Sequence, residues 1–147
     1  MLCGALARQS FGPRVSITSD DHRSVSGLVR GGDGIAHLTA LEAGGRTLAV
    51  MGSGSDVIYP PEHTPLAHEI VGSGAVIIEY SLGVKPDPRH FHRRNRLLSG
   101  LRMGTLVVEA SEGSRTQSTV RSALEQSRDV FGGPGSIYSA ASVLTNR

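Results

Sequence analysis

The sequence predicts an α/β protein in which a mostly parallel sheet lies between two layers of helices. Apolar runs occur at 47–51, 75–79 and 105–109, and segments with helical spacing separate them. Such runs are typical of strands buried on both faces, as in a parallel sheet covered by helices. The chain has 19 glycines and no tryptophan, which agrees with short strands joined by tight turns. Its 147 residues are enough for one domain with its own core.

Glycine marks the first half of the predicted order of elements. Val25 leads into a glycine-rich turn, and a helix over 34–43 follows. The apolar side chains expected to face inward from this helix are Ile35, Leu38 and Leu41. The glycine pair at 44–45 ends the helix, since glycine favours the position after a helix. A buried strand at 47–51 comes next.

The second half continues the alternation of strands and helices. Pro86 and Pro88 hold the chain extended, so a helix is expected to begin near His90. The other elements expected here are a short helix near 62–71, strands at 75–79 and 105–109, a helix over about 115–127 and a short strand at 129–131.

Positive charge is concentrated in the segment 85–102. This segment has six basic residues and one acidic residue, whereas the whole chain has 15 basic and 13 acidic residues and a formal net charge of +2. The rest of the chain therefore sums to −3. A patch of this kind can bind the phosphates of a nucleic acid, and a solvated charged face is the alternative interpretation.

The helix expected in this segment has one apolar stripe. At about 100° per residue, one side of it collects Phe91, Leu97, Leu98 and Leu101. Arg93 and Arg96 point away from the stripe, and Arg94 lies beside it in the first turn. Cations in a first turn oppose the helix dipole, so a bound anion would stabilise them. The segment therefore predicts an anion-binding site.

Ligands of a parallel sheet gather at the carboxyl ends of its strands. Four loops are expected at that edge, namely 26–33, 52–56, 79–90 and 110–116. The second begins with Gly52-Ser-Gly like a dinucleotide-binding loop, but the third glycine of that motif is absent, and Pro60 and Pro61 follow in place of a helix. Its small residues would let backbone N–H groups approach a phosphate, although a simple connection between strand and helix is the alternative.

No catalytic constellation is recognisable in the sequence. Asp33 and His37 have a spacing that suits a metal or an acid–base pair, but a capping role for Asp33 and a hydrogen-bonded His37 explain them more simply. His90 and His92 lack the carboxylate or cysteine support of a metal site. Glu109 ends a strand and could act as a base, bind a ribose hydroxyl or pair with an arginine. We therefore predict no catalytic residues, no metal site and no cofactor.

The cysteine content and the apolar segments indicate a soluble cytoplasmic protein. Cys3 is the only cysteine, which excludes an internal disulfide framework and a cysteine-rich zinc site. The apolar stretch at 2–6 is too short for a signal peptide. No run approaches the roughly 20 apolar residues of a membrane span, so we expect no membrane partner.

Short blocks in a fixed order run from about residue 24 to the end of the chain. The first, at 26–33, is Ser-Gly-Leu-Val-Arg-Gly-Gly-Asp, and a central one, at 90–96, is His-Phe-His-Arg-Arg-Asn-Arg. The other blocks lie at 44–56, 59–62, 107–110, 123–131 and 134–137. As a set they resemble the Rossmann-like domain of the bacterial DNA-processing protein A family (DprA/Smf). That family has Ser-Gly-Leu-Ala-Arg-Gly-Ile-Asp and His-Phe-Pro-x-Arg-Asn-Arg at the corresponding places.

The resemblance implies a Rossmann-like three-layer fold and binding of single-stranded DNA. Members of the family coat incoming strands in natural transformation, form homodimers and help to load the bacterial recombinase, and they are not known as enzymes. Enzymes of related fold, the lysine-decarboxylase-like nucleotide phosphoribohydrolases, carry a Pro-Gly-Gly-x-Gly-Thr motif. The comparable segment here, 112–116, is Glu-Gly-Ser-Arg-Thr and lacks it.

The amino-terminal part departs from the family pattern. We therefore expect a poorly matched segment at 1–23 and the family domain at 24–147. The family domain opens with a strand and a Gly-Ser-Arg loop whose arginine grips phosphate, and no such loop precedes Ser26. Only 15–18 could form a strand there. The expected sheet is thus incomplete at the N-terminus, with an unpaired core edge.

The predicted function is single-stranded DNA binding through phosphate contacts, without sequence preference. The predicted contact residues are Arg30, Gly52, Ser53, Gly54, Lys85, Arg89, Arg93, Arg94, Asn95 and Arg96. The alternative is a nucleotide-binding or nucleoside-monophosphate-processing protein of the lysine-decarboxylase-like type, with Glu109 as its catalytic candidate. A third hypothesis is a fragment that cannot close its sheet and binds nothing.

Overall fold

The computed structural model describes residues 2–3, 23–107 and 116–133, and within these ranges strands and helices alternate. The strands are β1 (Leu2–Cys3), β2 (Arg23–Ser26), β3 (Arg46–Met51), β4 (Ala75–Ile78), β5 (Gly104–Val107) and β6 (Asp129–Gly132). The helices are α1 (Gly32–Glu42), α2 (Thr64–Ser73, preceded by a 3-10 turn at Pro61–His63), α3 (Pro88–Gly100) and α4 (Thr116–Glu125). The α/β class predicted from the sequence is confirmed.

Every strand pair in the described residues is parallel. One sheet has the order β2-β3-β4, with Val25 opposite Leu48 and Leu48 opposite Ala75. The other has the order β1-β5-β6, with Thr105 opposite Val130. Parallel neighbours need crossover connections, and helices supply them between β2 and β3, between β3 and β4 and between β5 and β6.

The short strand β1 belongs to the second sheet and lies near the first. It pairs with the start of β5, from Leu2 opposite Gly104, and it also lies against β2. In the described residues β2 pairs only with β3, so the expected unpaired edge remains at β2 even though β1 lies nearby. The segment 15–18, expected as a possible strand, lies outside the described residues.

Two apolar clusters on opposite faces of β3 give the fold its three layers. Ala49 and Met51 pack with Leu66 and Ile70 of α2 on one face. Val50 points to the opposite face, where the cluster is completed by Val25 and Leu98. Successive side chains of a strand alternate between faces, which explains this division. Each fully buried aliphatic side chain stabilises the fold by about 1.5–3 kcal/mol.

Helix α1 packs through a different face from the one predicted. Its buried residues are Gly34, Ala36 and His37. Ile35 and Leu41 are half-buried, and Leu38 is 45% exposed, so the expectation that Leu38 faces inward is wrong. The small residues Gly34 and Ala36 allow a close approach, and a Cβ on Gly34 would come within 2.9 Å of the His63 ring. Close packing, and not the apolar stripe, therefore sets the orientation of this helix.

Helix α3 begins two residues earlier than predicted, at Pro88. Proline suits the first position of a helix, because its fixed φ is already helical and its missing N–H needs no partner there. Asp87 is the N-cap, and its carboxylate accepts a hydrogen bond from the Arg89 backbone N–H at 2.8 Å. Arg93 and Arg94 consequently lie in the second turn. The predicted charge conflict in the first turn is reduced to Arg89, which pairs with Asp87.

A buried polar network links β2, β3 and α1. The hydroxyls of Ser24 and Thr47 are 2.7 Å apart, and His37 Nδ1 lies 2.6 Å from Thr47 Oγ1. Nε2 of His37 has no hydrogen-bond partner among the described residues. Burial lowers the pKa of His37 to about 4, although the charge of Asp33 opposes the shift. His37 is therefore neutral in the fold at neutral pH.

The Asp33 carboxylate fastens the turn before α1. It accepts hydrogen bonds from Ser26 Oγ at 2.7 Å, from the Gly27 N–H at 3.1 Å and from the Val29 N–H at 3.3 Å. Asp33 thus bonds the preceding turn, and His37 bonds Thr47.

Within the described ranges, no group of three or more metal-ligating side chains occurs, and no helix is long and apolar enough to cross a membrane.

We expect the buried His37 to make the fold acid-sensitive. The unfolded chain takes up a proton near pH 6.5, whereas folded His37 stays neutral until about pH 4. The contribution of neutral His37 to the free energy of unfolding is therefore fully present above pH 6.5 and is lost as the pH falls towards 4. Urea unfolding at pH 7.5 and pH 5 should show a loss of about 2 kcal/mol that a His37→Gln variant does not show. Equal losses in both proteins would contradict this.

Candidate nucleic-acid interface

Three loops and the start of α3 meet at the carboxyl ends of β2, β3 and β4. The Gly54 N–H donates to the Val84 carbonyl at 2.9 Å, and the Asp56 carboxylate accepts from the Gly83 N–H at 2.8 and 3.0 Å. His90 Nδ1 lies 3.2 Å from the Gly52 carbonyl oxygen. The edge predicted to bind ligands is thus one continuous surface. Of the fourth predicted loop, 110–116, only the last residue is described, and Glu109 lies outside the described residues.

Five of the predicted contact residues are exposed cations at or near this edge. We call this set the basic surface: Lys85, Arg93, Arg30, Arg89 and Arg96. Lys85 lies in the loop before α3, and Arg93 projects from the second turn of α3. In the part of the chain that the structure describes, neither forms an ion pair. Both charges are therefore available to an anion from solution.

The three other arginines of the basic surface each pair with a carboxylate of this chain. The pairs are Arg30 with Glu62, Arg89 with Asp87 and Arg96 with Glu79. Hydrogen bonds from Arg30 lower the pKa of Glu62, and those from Arg89 lower the pKa of Asp87. These carboxylates were not predicted from the sequence. Glu79 had a usable signal, since it directly follows the last residue of β4 at the ligand edge.

Arg94 is buried and links α3 to the sheet. Its side chain is 3% exposed, and Nη1 donates a hydrogen bond to the Val50 carbonyl. The guanidinium carbon lies 5.6 Å from the centre of the Phe91 ring, and burial lowers the Arg94 pKa to about 10. A Cβ on Gly27 would overlap the guanidinium, so glycine makes room for it. Arg94 is therefore not available to a ligand at the surface.

Asn95 holds α3 against α4. Its side-chain Nδ2 donates to Ser118 Oγ at 2.8 Å, and the residue is buried. Ser99, one turn later, donates to Gln126 Oε1 at 2.8 Å. Asn95, like Arg94, supports the basic surface from behind.

The glycine loop after β3 uses its polar groups internally. Gly52, Ser53 and Gly54 are all buried, and Ser53 Oγ donates to the Val57 carbonyl at 2.6 Å. A Cβ on Gly52 would lie 2.9 Å from the Phe91 ring. The small residues let α3 and the 79–87 loop approach the sheet closely. In this arrangement the loop shapes the edge and does not present an open cradle.

Two aromatic pairs border the basic surface. Tyr80 stacks on His90, with ring centres 4.2 Å apart and an interplanar angle of 27°. Tyr59 lies 5.8 Å from Phe91, and the Arg30 guanidinium is 5.5 Å from the centre of the Tyr59 ring. Phe91 is buried, as predicted. Tyr59 and Tyr80 are half-buried and were not singled out by the sequence pattern.

Comparison with known proteins gives one consistent result. The family model for DNA recombination-mediator protein A matches residues 14–147. Protein Smf of Escherichia coli (strain K12) is 48% identical over 113 residues, which are 76% of this chain and 30% of that protein. The DNA processing protein DprA of Streptococcus pneumoniae is 44% identical over 118 residues, 80% of this chain and 42% of that protein. This chain thus spans less than half the length of these relatives.

Solved structures agree with the sequence matches. The X-ray structure of DprA from Streptococcus pneumoniae superposes with a TM-score of 0.77 at 41% identity, over 84% of this chain and 44% of that one. The structure of DprA from Helicobacter pylori superposes with a TM-score of 0.73 at 28% identity, over 79% of this chain and 53% of that one. The latter was solved to describe the single-stranded DNA binding mode of that protein.

Proposed function

The chain belongs to the DNA recombination-mediator protein A family, and from this premise we propose that it binds single-stranded DNA through the basic surface. The observation that carries the proposal is the pair of exposed cations Lys85 and Arg93 at the ligand edge of the parallel sheet, which have no ion-pair partner among the described residues. The Helicobacter pylori relative, whose structure describes single-strand binding, supports the choice of ligand.

The proposed contacts are mainly electrostatic. Lys85 and Arg93 bind phosphates, and Arg30, Arg89 and Arg96 extend the positive surface around them. Phosphate contacts bring affinity and a steep salt dependence without sequence preference. Arg94, Asn95 and the Gly52–Gly54 loop keep the surface in place without touching the strand.

The wider role is proposed from the family relation. DNA processing in natural transformation, a homodimer and transfer of the strand to a recombinase are implied by the resemblance, and a cytoplasmic location is the expectation from the sequence. Relatives named for DNA processing support the first of these. We propose a binding protein that needs no cofactor and catalyses no reaction.

Fluorescence anisotropy of a labelled oligo-thymidine tests the proposal. Log affinity should fall linearly with log salt, with a slope of about −0.7 for each phosphate contacted. Unlabelled duplex and free nucleotide should compete poorly. Efficient displacement by free nucleotide would instead favour the nucleotide-binding alternative, and no binding at low salt would refute the proposal.

A further inference from the structure

Three of the five cations of the basic surface already hold an anion that belongs to this chain. Glu62 takes two hydrogen bonds from Arg30, at 2.5 Å from Nε and 3.1 Å from Nη2. Glu79 accepts a hydrogen bond from Arg96 Nη2 across the junction between the end of β4 and α3. Both pairs join residues distant in sequence, and both lie at the proposed binding edge.

Glu62 occupies the face of Arg30 that a phosphate would use. A guanidinium presents its N–H groups as a fork, which fits a carboxylate and a phosphate in the same bidentate way. Nε and Nη2 of Arg30 are both engaged by the two Glu62 oxygens. A strand phosphate can therefore reach this fork only by displacing the carboxylate.

Arg30 stays oriented when its carboxylate partner leaves. Nη1 of Arg30 donates to Tyr59 Oη at 3.2 Å, and the guanidinium lies over the Tyr59 ring. Tyr59 itself packs near the buried Phe91. The aromatic contact thus holds the arginine at the edge independently of Glu62.

Exposed ion pairs of this kind are weak enough to exchange. The side chains of Arg30 and Glu62 are 60% and 51% exposed, so water screens their attraction. A strand held nearby by Lys85 and Arg93 presents its next phosphates at a high local concentration. The released carboxylates then lie beside the strand and repel it.

We propose that Glu62 and Glu79 are built-in competitors of the phosphate backbone, which set the affinity and the salt dependence of strand binding. This inference rests on the proposed function. Asp87 is left out of the set because it also caps α3. The carboxylates make the basic surface weaker than its count of cations implies, so that a strand is bound reversibly.

Binding of oligo-thymidine by Glu79→Gln, Glu62→Gln and the double variant tests the proposal. Each single change should tighten binding by about two- to fivefold at low salt, the range expected for an exposed pair. The log–log salt slope should steepen by up to about 0.7 for each change, since one more net cation faces a phosphate. The double variant should show roughly the product of both effects.

Glu125→Gln is the matched control. Glu125 also pairs with an exposed arginine, Arg121, at 2.9 Å, but on α4 and outside the basic surface. It changes the net charge equally and should leave affinity and slope unaltered. The inference would be overturned if Glu125→Gln tightened binding as much as the other variants, or if no variant tightened it. Weaker binding by Glu79→Gln or Glu62→Gln, with an unchanged thermal melt, would also overturn it. Failure of the wild-type protein to bind any strand would instead refute the proposed function.

Discussion

Replacing Lys85 and Arg93 together with glutamate is expected to weaken single-strand binding by at least about a hundredfold at low salt. Both side chains are exposed, and neither has an acidic partner in the described residues. A cation and a phosphate about 4 Å apart in water attract by about 1 kcal/mol, and reversal turns that attraction into a similar repulsion. Two reversals therefore cost several kcal/mol before screening, which corresponds to two or more decades of affinity.

Single variants separate these two residues from the paired arginines. Arg93→Glu should cost more than Arg96→Glu, because Arg93 is free to contact a phosphate directly, whereas Nη2 of Arg96 is engaged by Glu79. Arg46→Glu is the control, since Arg46 is exposed at the first residue of β3, at the opposite end of the strand from the basic surface. Anisotropy titrations in 50 mM salt give the comparison. Equal losses for Arg93→Glu and Arg46→Glu would show that only the overall charge of the protein matters.

The largest expected effect on stability is that of Gly74→Ala. A Cβ on Gly74 would overlap the Thr47 carbonyl oxygen and lie 3.2 Å from the Thr47 nitrogen. The obstacle is the backbone of the central strand β3, which is paired on both sides and cannot yield. Thr47 also bonds the buried His37. We expect a loss of at least about 3 kcal/mol, at the upper end of the range for overpacking, and a thermal midpoint lowered by about 10 °C.

Gly72→Ala provides the matched control two residues away. Gly72 lies in the last turns of α2 with no heavy atom within 4 Å of the position of an added Cβ. Alanine favours a helix over glycine by up to about 1 kcal/mol, so this variant should be as stable as the wild type or more stable. Thermal unfolding followed by circular dichroism measures both variants. If Gly74→Ala had the same thermal midpoint as the wild type, β3 and the end of α2 could move apart without loss of stability, and the prediction would be wrong.

The elements that depend on neighbours in sequence could be predicted. The apolar run at 47–51 became β3, and Phe91 and Leu98 of the predicted stripe are buried. The beginning of α3 was predicted too late, because Pro88 is read equally well as the end of an extended approach or as the first residue of a helix. The acidic cap of Asp87 decides between them.

The partners of the arginines could not be predicted, because tertiary packing supplies them. Arg94 bonds the carbonyl of Val50, 44 positions earlier in the chain, and Arg30 bonds Glu62, 32 positions later. A helical pattern places Arg94 beside the apolar stripe but does not reveal a backbone carbonyl within its reach. For the same reason the prediction from sequence treated Arg30, Arg94 and Arg96 as cations without a partner in the chain.

The bracing of α3 on two sides would decide where conformational entropy is lost in the proposed binding of single-stranded DNA. Arg94 fixes the helix to β3, Asn95 fixes it to α4, and Ser99 fixes it to Gln126, directly after α4. Arg93 projects from this braced helix, so in the proposed complex the protein would order little more than its exposed side chains. The strand would lose conformational freedom instead, and it would have to unstack wherever its bases do not suit the spacing of the cations. Weakly stacked pyrimidine tracts lose the least stacking energy when they unstack in this way.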